Sequence, residues 1–76
     1  MPIEYSEEVA KLTGKCTIDE TSAFYEWLLL HPEGQVDLRH CEHLHMSLVQ
    51  LLVASKRGLS QEPENRFLQH LLPYLR

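Results

Sequence analysis

The densest group of chemically active side chains in this 76-residue chain lies between Arg39 and His45. Imidazole and thiolate groups are suitable ligands for zinc and copper, and three histidines and one cysteine fall within these seven residues. The candidate metal ligands are His40, Cys41, His43 and His45. Their spacing matches no established metal motif, so solvated loop histidines and a pH-responsive binding surface remain open as alternatives.

A short strand and a long helix flank this segment and would have to position it. Val36 and Leu38 alternate with polar neighbours, which predicts a strand over residues 35–39. The next helix is expected to begin at about Leu44 or Met46 and to end at Gly58. Its apolar positions surround most of the helix axis, so we expect burial on much of its circumference; they are Leu44, Met46, Leu48, Val49, Leu51, Leu52 and Val53.

Helical spacing is clearest over residues 21–31. The positions that share one face of this predicted helix are Ala23, Phe24, Trp27, Leu28 and His31. Asp19 and Thr21 offer oxygens that could cap its start. Pro32 should stop it, because a residue before proline disfavours the helical region.

The two ends of the chain complete the predicted fold. Residues 1–19 alternate like strands, with a bulge or tight bend at Gly14, and a last helix is expected from about Pro63, kinked or ended at Pro73. We expect Leu59–Gln61 to lead straight into that helix. The order β-β-α-β-α-α predicts an α/β domain over residues 1–76, with a small sheet of about three strands covered by helices.

The composition of the chain narrows the range of functions that we expect for it. A formal charge of −4 argues against nucleic-acid binding, and two cysteines are too few for a disulfide framework. The chain starts with no signal-peptide pattern and has no apolar run long enough to span a membrane, which predicts a cytoplasmic protein. We expect no cofactor and no enzyme activity. Cys16 and Cys41 are expected to act as small buried hydrophobic residues.

Two segments resemble the STAS family, which includes the bacterial anti-sigma-factor antagonists. They are Val9-Ala10-Lys11-Leu12-Thr13-Gly14 and the run from Val36-Asp37-Leu38 to Leu44, with a helix between them. The resemblance extends over residues 9–58. Where the family commonly has Asp, then Ser or Thr, then a small residue and Gly, this chain has His45, Met46, Ser47 and Leu48, so Ser47 matches the second small position, which is serine in some members.

The resemblance implies a non-enzymatic regulatory module that works by binding proteins. The implied partners are a kinase, an anti-sigma factor or a subunit of a transporter or signalling assembly. The implied surface comprises Asp37, His43, His45, Met46, Ser47 and Gln50, with Ser47 as the candidate phosphoacceptor. Two further interpretations stay open: Ser47 hydrogen bonds the local backbone, and Asp37 fixes the end of its strand.

The last segment carries more apolar side chains than a small sheet can cover. They are Phe67, Leu68, Leu71, Leu72 and Leu75, with Tyr74 among them. Since exposed apolar area usually marks an interface, we expect a homodimer or a partner contact here.

Overall fold

Two groups of short strands organise the computed structural model, which describes residues 2–75. The strands are β1 (Ile3–Tyr5), β2 (Val9–Leu12), β3 (Gly14–Cys16), β4 (Gln35–Asp37), β5 (Cys41–Leu44) and β6 (Leu59–Gln61). A four-stranded sheet has the order β1-β2-β4-β6, with β1 and β2 antiparallel and the other neighbours parallel. The separate pair β3-β5 is also parallel. The fold is therefore mixed α/β, as predicted.

The expected sheet of about three strands was too small. Leu59–Gln61 does not run straight into a helix but pairs with β4, with Leu59 opposite Val36. Three residues are too few for an alternating apolar and polar pattern to be recognised in the sequence. The segment becomes a strand because it pairs with the free edge of β4.

Glycine 14 divides the N-terminal strand. It has a φ of +61°, which glycine adopts without steric cost. The register of the β3-β5 pair shifts between Gly14 and Lys15, as a bulge requires. The bend predicted from Gly14 is confirmed, and it separates β2 from β3 so that they belong to different sheets.

Helix α1 spans Thr21–Leu30 and ends at His31, close to its predicted bounds. Its start differs, because a 3-10 turn over Ile18–Glu20 leads into it and no side chain caps it. Its end is held by Arg57, whose guanidinium donates to the carbonyl oxygens of Leu28, His31 and Gly34. A cation on the last carbonyls of a helix stabilises the negative end of its dipole.

Helix α2 spans Met46–Ser55 and is less buried than predicted. Leu48 and Leu52 face the core, but Met46 is 63% exposed and Val53 is 37% exposed. The helix ends earlier than Gly58 because Lys56 adopts the left-handed conformation, with a φ of 52°. The expectation of burial around most of its circumference was therefore wrong.

The predicted last helix is two short ones. Asn65, rather than Pro63, marks the start of α3 (Arg66–Gln69), since its side chain accepts the N–H of Leu68 at 3.1 Å. A turn then leads to α4 (Leu72–Leu75), which contains Pro73. None of the helices within residues 2–75 has the length and apolar character that crossing a membrane needs.

The core lies between the strands and the helices. Its buried members are Ile3, Ala10, Leu12, Cys16, Phe24, Trp27, Leu28, Val36, Leu38, Cys41, Leu44, Leu48, Leu52, Leu68 and Leu75. Trp27 packs parallel to Phe24, with 6.4 Å between ring centroids, and its indole N–H donates to the carbonyl of Ser6 at 2.8 Å. Both cysteines are buried, which confirms their predicted role.

Candidate functional site

His45 connects β5 to α2 and caps the helix. Its backbone N–H donates to the carbonyl of Cys16 at 2.9 Å, which anchors it to β3. Its Nδ1 accepts the backbone N–H of Ser47 at 3.1 Å. A ring nitrogen that accepts carries no proton, so the neutral imidazole holds its proton on Nε2. His45 is thus the N-cap residue of α2, a position at which Asp, Ser and Asn are preferred.

The hydroxyl of Ser47 lies between two other side chains. Its Oγ is 2.9 Å from His45 Nδ1 and 2.7 Å from Thr21 Oγ1. These contacts are compatible when Thr21 donates to Ser47 Oγ and the one lone pair of Nδ1 is shared between the hydroxyl and the backbone N–H of Ser47. The Ser47 hydroxyl therefore bonds to the side chains of His45 and Thr21. The alternative interpretation, in which it hydrogen bonds the local backbone, does not describe this arrangement.

An apolar groove runs along α2. It has a volume of about 390 Å³ and is lined by Met46, Val49, Gln50, Val53 and Ala54 of α2 and by Leu71 and Tyr74. Tyr74 is 70% exposed, and Leu71 is half-buried. Two predicted surface residues, Met46 and Gln50, thus line one groove and flank Ser47 in the sequence.

Sequence reasoning missed three members of this site. Thr21 was expected to cap its own helix, and its contact with Ser47 joins positions 26 residues apart. Leu71 and Tyr74 were predicted to contact a partner, but nothing in the sequence placed them beside α2. Their exposed apolar character was the available signal.

Asp37 and His43 lie elsewhere on the surface. Asp37 is half-buried at the end of β4, and its Oδ1 accepts the backbone N–H of Arg39 at 2.9 Å. This contact supports its interpretation as a carboxylate that fixes the strand end. His43 is exposed on β5, opposite Lys15 of β3.

The four candidate metal ligands do not come together. Cys41 begins a strand, is buried, and its Sγ donates to the carbonyl of His43 at 3.5 Å. His40 is exposed, and its Nδ1 lies 3.7 Å from a carboxylate oxygen of Glu64. Nδ1 of His45 is engaged with Ser47. Across residues 2–75, no three His, Cys, Asp or Glu side chains are grouped so that they could hold a metal ion.

The two buried thiols, Cys16 and Cys41, influence each other's pKa. The neighbouring Cys16 thiol, together with burial, raises the pKa of Cys41 above that of an exposed thiol. Cys41 is therefore a protonated core residue at neutral pH, since the thiolate is the nucleophilic and metal-binding form.

A scan against protein-family models, a search of curated proteins and a search of solved structures each found no match to this chain. The likeness to the STAS family therefore stays a prediction from the residues quoted above.

Proposed function

We propose that this chain is a non-enzymatic, STAS-like regulatory module of bacterial signalling that acts by protein–protein binding. The observation that carries the proposal is the position of Ser47: this half-buried residue lies in the first turn of α2, between Met46 and Gln50 in the sequence, and both of these line an apolar groove. The docking surface comprises Met46, Gln50 and the rest of this groove, and its partner is a kinase, an anti-sigma factor or a subunit of a transporter or signalling assembly.

The architecture supports this proposal in a general way. Three strands precede α1, the parallel strands β4 and β5 lie between α1 and α2, and β6 supplies a further parallel strand. The second helix begins directly after the β5 segment that carries the histidines. Its start is anchored by the backbone bond from His45 to β3 and by the side-chain bond between Ser47 and Thr21 of α1.

Phosphorylation of Ser47 would change this surface without opposing the helix. A phosphate adds about 1.5 to 2 negative charges at neutral pH. The positive end of α2 tolerates that charge, so the helix itself need not unfold. The modified oxygen can no longer donate to His45, and the charge would lie beside the uncharged side chains of Met46 and Gln50. An apolar partner segment would then lose its contact.

The Ser47–His45 pair also combines a nucleophile type with a base type, but its hydrogen bonds favour binding over catalysis. The single lone pair of Nδ1, which would have to take the hydroxyl proton, is shared with the backbone N–H of Ser47. Thr21 occupies the other side of the oxygen at 2.7 Å. A hydroxyl held between two neighbours is oriented, and it is suited to be a fixed feature of a docking surface.

The proposal can be tested by comparing captured partners. Wild-type protein, Ser47→Glu and Ser22→Glu would be immobilised and exposed to extract of the source cells, and bound proteins would be quantified by mass spectrometry. Ser22 is an exposed serine on α1, so its variant is a matched control for charge. We expect a protein that wild type and Ser22→Glu retain and Ser47→Glu loses. Identical sets of proteins on all three would contradict the proposal.

A further inference from the structure

The outer face of α1 carries large apolar side chains at the surface. Leu29 is 63% exposed and Leu30 is 75% exposed, and Tyr25, one turn before Leu29, is 50% exposed. Glu26 and Leu29 lie on the side of the helix opposite Phe24, which belongs to the core. The residues of this α1 face are Tyr25, Glu26, Leu29 and Leu30. Because exposed apolar area of this kind marks interaction sites, the α1 face is a candidate docking surface.

An open depression of about 750 Å³ adjoins the α1 face at the end of the helix. It is lined by Leu30, by residues 31–35, and by Glu7 and Glu8 of the segment between β1 and β2. The carboxylates of Glu7, Glu8 and Glu33 are all exposed. This acidic depression therefore sets three negative charges around a leucine that is largely open to solvent.

The charge around the α1 face is predominantly negative. Residues 16–38, which include α1 and the turn before it, hold five acidic residues and no lysine or arginine. The cation that contacts α1 is Arg57, whose guanidinium is bound to the carbonyl oxygens of Leu28, His31 and Gly34. Arg57 is half-buried and is not among the residues that line the acidic depression. The three carboxylates of the depression outnumber this single bound cation.

Lys11 points away from this surface. It lies in β2 between Ala10 and Leu12, which are both buried in the core that α1 covers. Strand alternation therefore places Lys11 on the opposite face of the sheet. Its neighbours across the strands there are Glu4 and Asp37. The positive charge of Lys11 thus lies between two carboxylate residues on the far side of the sheet.

Two further lysines lie elsewhere on the molecule. Lys15 belongs to the separate β3-β5 pair. Lys56 lines a different depression, which also includes Glu62. Among residues 2–75, those that line the acidic depression include no lysine and no arginine. The apolar α1 face and its acidic depression are therefore complementary to a ligand that is apolar along one side and positively charged along its rim.

We propose that the α1 face and the acidic depression bind a basic amphipathic helix of a partner protein. Its apolar side chains, spaced three or four residues apart, would contact Tyr25 and Leu29, which have the same spacing on α1. Its lysine and arginine side chains would lie beside Glu26 and the three carboxylates of the depression. The same negative charge opposes binding of a nucleic acid or an anionic membrane, because it repels their phosphates. This inference goes beyond the proposed function, because it adds a second docking surface on a different helix.

Photocrosslinking tests the occupant directly. A benzophenone amino acid would replace Leu29 or, as a matched control, Val53, an exposed apolar residue of α2. The full chain would be irradiated in extract of the source cells, and the crosslinked segment would be mapped by mass spectrometry. The expected result is a segment with net positive charge and apolar residues at helical spacing, obtained from position 29 and not from position 53. An acidic segment, a segment without that spacing, a second copy of this chain, or no crosslink specific to position 29 would overturn the inference.

The affinity of the mapped segment, made as a synthetic peptide, tests the charge complementarity. Fluorescence anisotropy would be measured at pH 8, where histidine side chains are ordinarily neutral. The double variant Glu8→Gln, Glu33→Gln keeps the shape of both side chains and removes their charge. It should weaken binding about fivefold and reduce the salt dependence of binding.

The matched control for charge is the double variant Glu4→Gln, Glu42→Gln, which removes two exposed carboxylates away from the α1 face. It should bind the peptide within about twofold of wild type, because exposed charges at a distance are largely screened by salt. Equal weakening by the two double variants would contradict the assignment of the acidic depression.

The apolar contact has its own test with the same peptide. Leu29→Ala keeps a good helix former and removes most of the exposed side chain, so binding should weaken at least about fivefold. Val53→Ala makes a similar truncation on α2 and should bind like wild type. Equal binding by these two variants would show that the α1 face is not the docking surface.

Discussion

The hydroxyl oxygens of Thr21 and Ser47 lie 2.7 Å apart and join the first turn of α1 to the first turn of α2. Through His45 Nδ1, 2.9 Å from Ser47 Oγ, the same hydrogen-bond chain reaches the end of β5. Three elements thus meet at one serine. A change at this serine affects the docking surface and the junction of the two helices together.

Removing the Thr21 hydroxyl should destabilise the fold. Thr21→Val keeps the shape of the side chain but leaves the half-buried Ser47 oxygen without its donor, so we expect a loss of about 1 kcal/mol in the free energy of unfolding. Urea denaturation would measure it. Thr17→Val is the control, because Thr17 is exposed and makes no capping hydrogen bond, and it should change stability by less than about 0.5 kcal/mol. Equal stability of the two variants would contradict the role of Thr21.

The cap formed by His45 should be replaceable by another cap residue. His45→Ala removes the acceptor for the N–H of Ser47, so we expect a loss of about 1 kcal/mol in the free energy of unfolding. His45→Asn restores a side-chain acceptor and should recover most of it. Thermal and urea denaturation followed by circular dichroism would compare the three proteins. If the asparagine variant is as unstable as the alanine variant, the imidazole acts through something other than capping.

Gly34 should not tolerate a side chain. A Cβ built there would clash with Cη2 of Trp27, which belongs to a buried, rigid ring. We expect Gly34→Ala to lower the free energy of unfolding by about 1–3 kcal/mol, as overpacking does in cores. Gly58→Ala is the matched control, since its Cβ would meet only the flexible end of Gln35 at 3.1 Å. A Gly34 variant as stable as the Gly58 variant would contradict this packing.

Cys41 should make stability depend on pH. In a Cys16→Ala background, burial still keeps the pKa of Cys41 above the value of roughly 8.5 for an exposed thiol. The unfolded chain then loses this proton at a lower pH than the folded chain does, so stability is complete below pH 8.5 and falls as pH rises. We expect a loss of about 1 kcal/mol between roughly pH 8 and pH 9.5.

The control for this titration is the double variant Cys16→Ala, Cys41→Ala. It carries the same Cys16→Ala substitution but has no thiol at either position. Its free energy of unfolding should therefore stay level over the same range of pH. Urea denaturation at several pH values gives both curves. Parallel curves would show that Cys41 is not held protonated by the fold.

The local spacing of apolar residues was enough to predict some helices and strands but not others. Helix α1 was predicted from the apolar face that includes Phe24 and Trp27, and its end from Pro32, because each signal lies within a few residues of its effect. The strand Leu59–Gln61 was missed, because its pairing with Val36 comes from a distant segment. Arg57 follows α2 in the chain, yet its guanidinium donates to the last carbonyls of α1, a contact between distant segments.

The sequence by itself determined the α/β class, the positions of α1 and α2 and the burial of both cysteines, since these follow from the types and spacing of neighbouring residues. Only the tertiary structure decided that Thr21 meets Ser47, that Cys41 turns inward while His40 and His43 stay outside, and that Tyr74 lies beside α2. These relationships join residues that are far apart in the chain or point to opposite sides of a strand. Their geometry depends on how whole elements pack, which no local pattern contains.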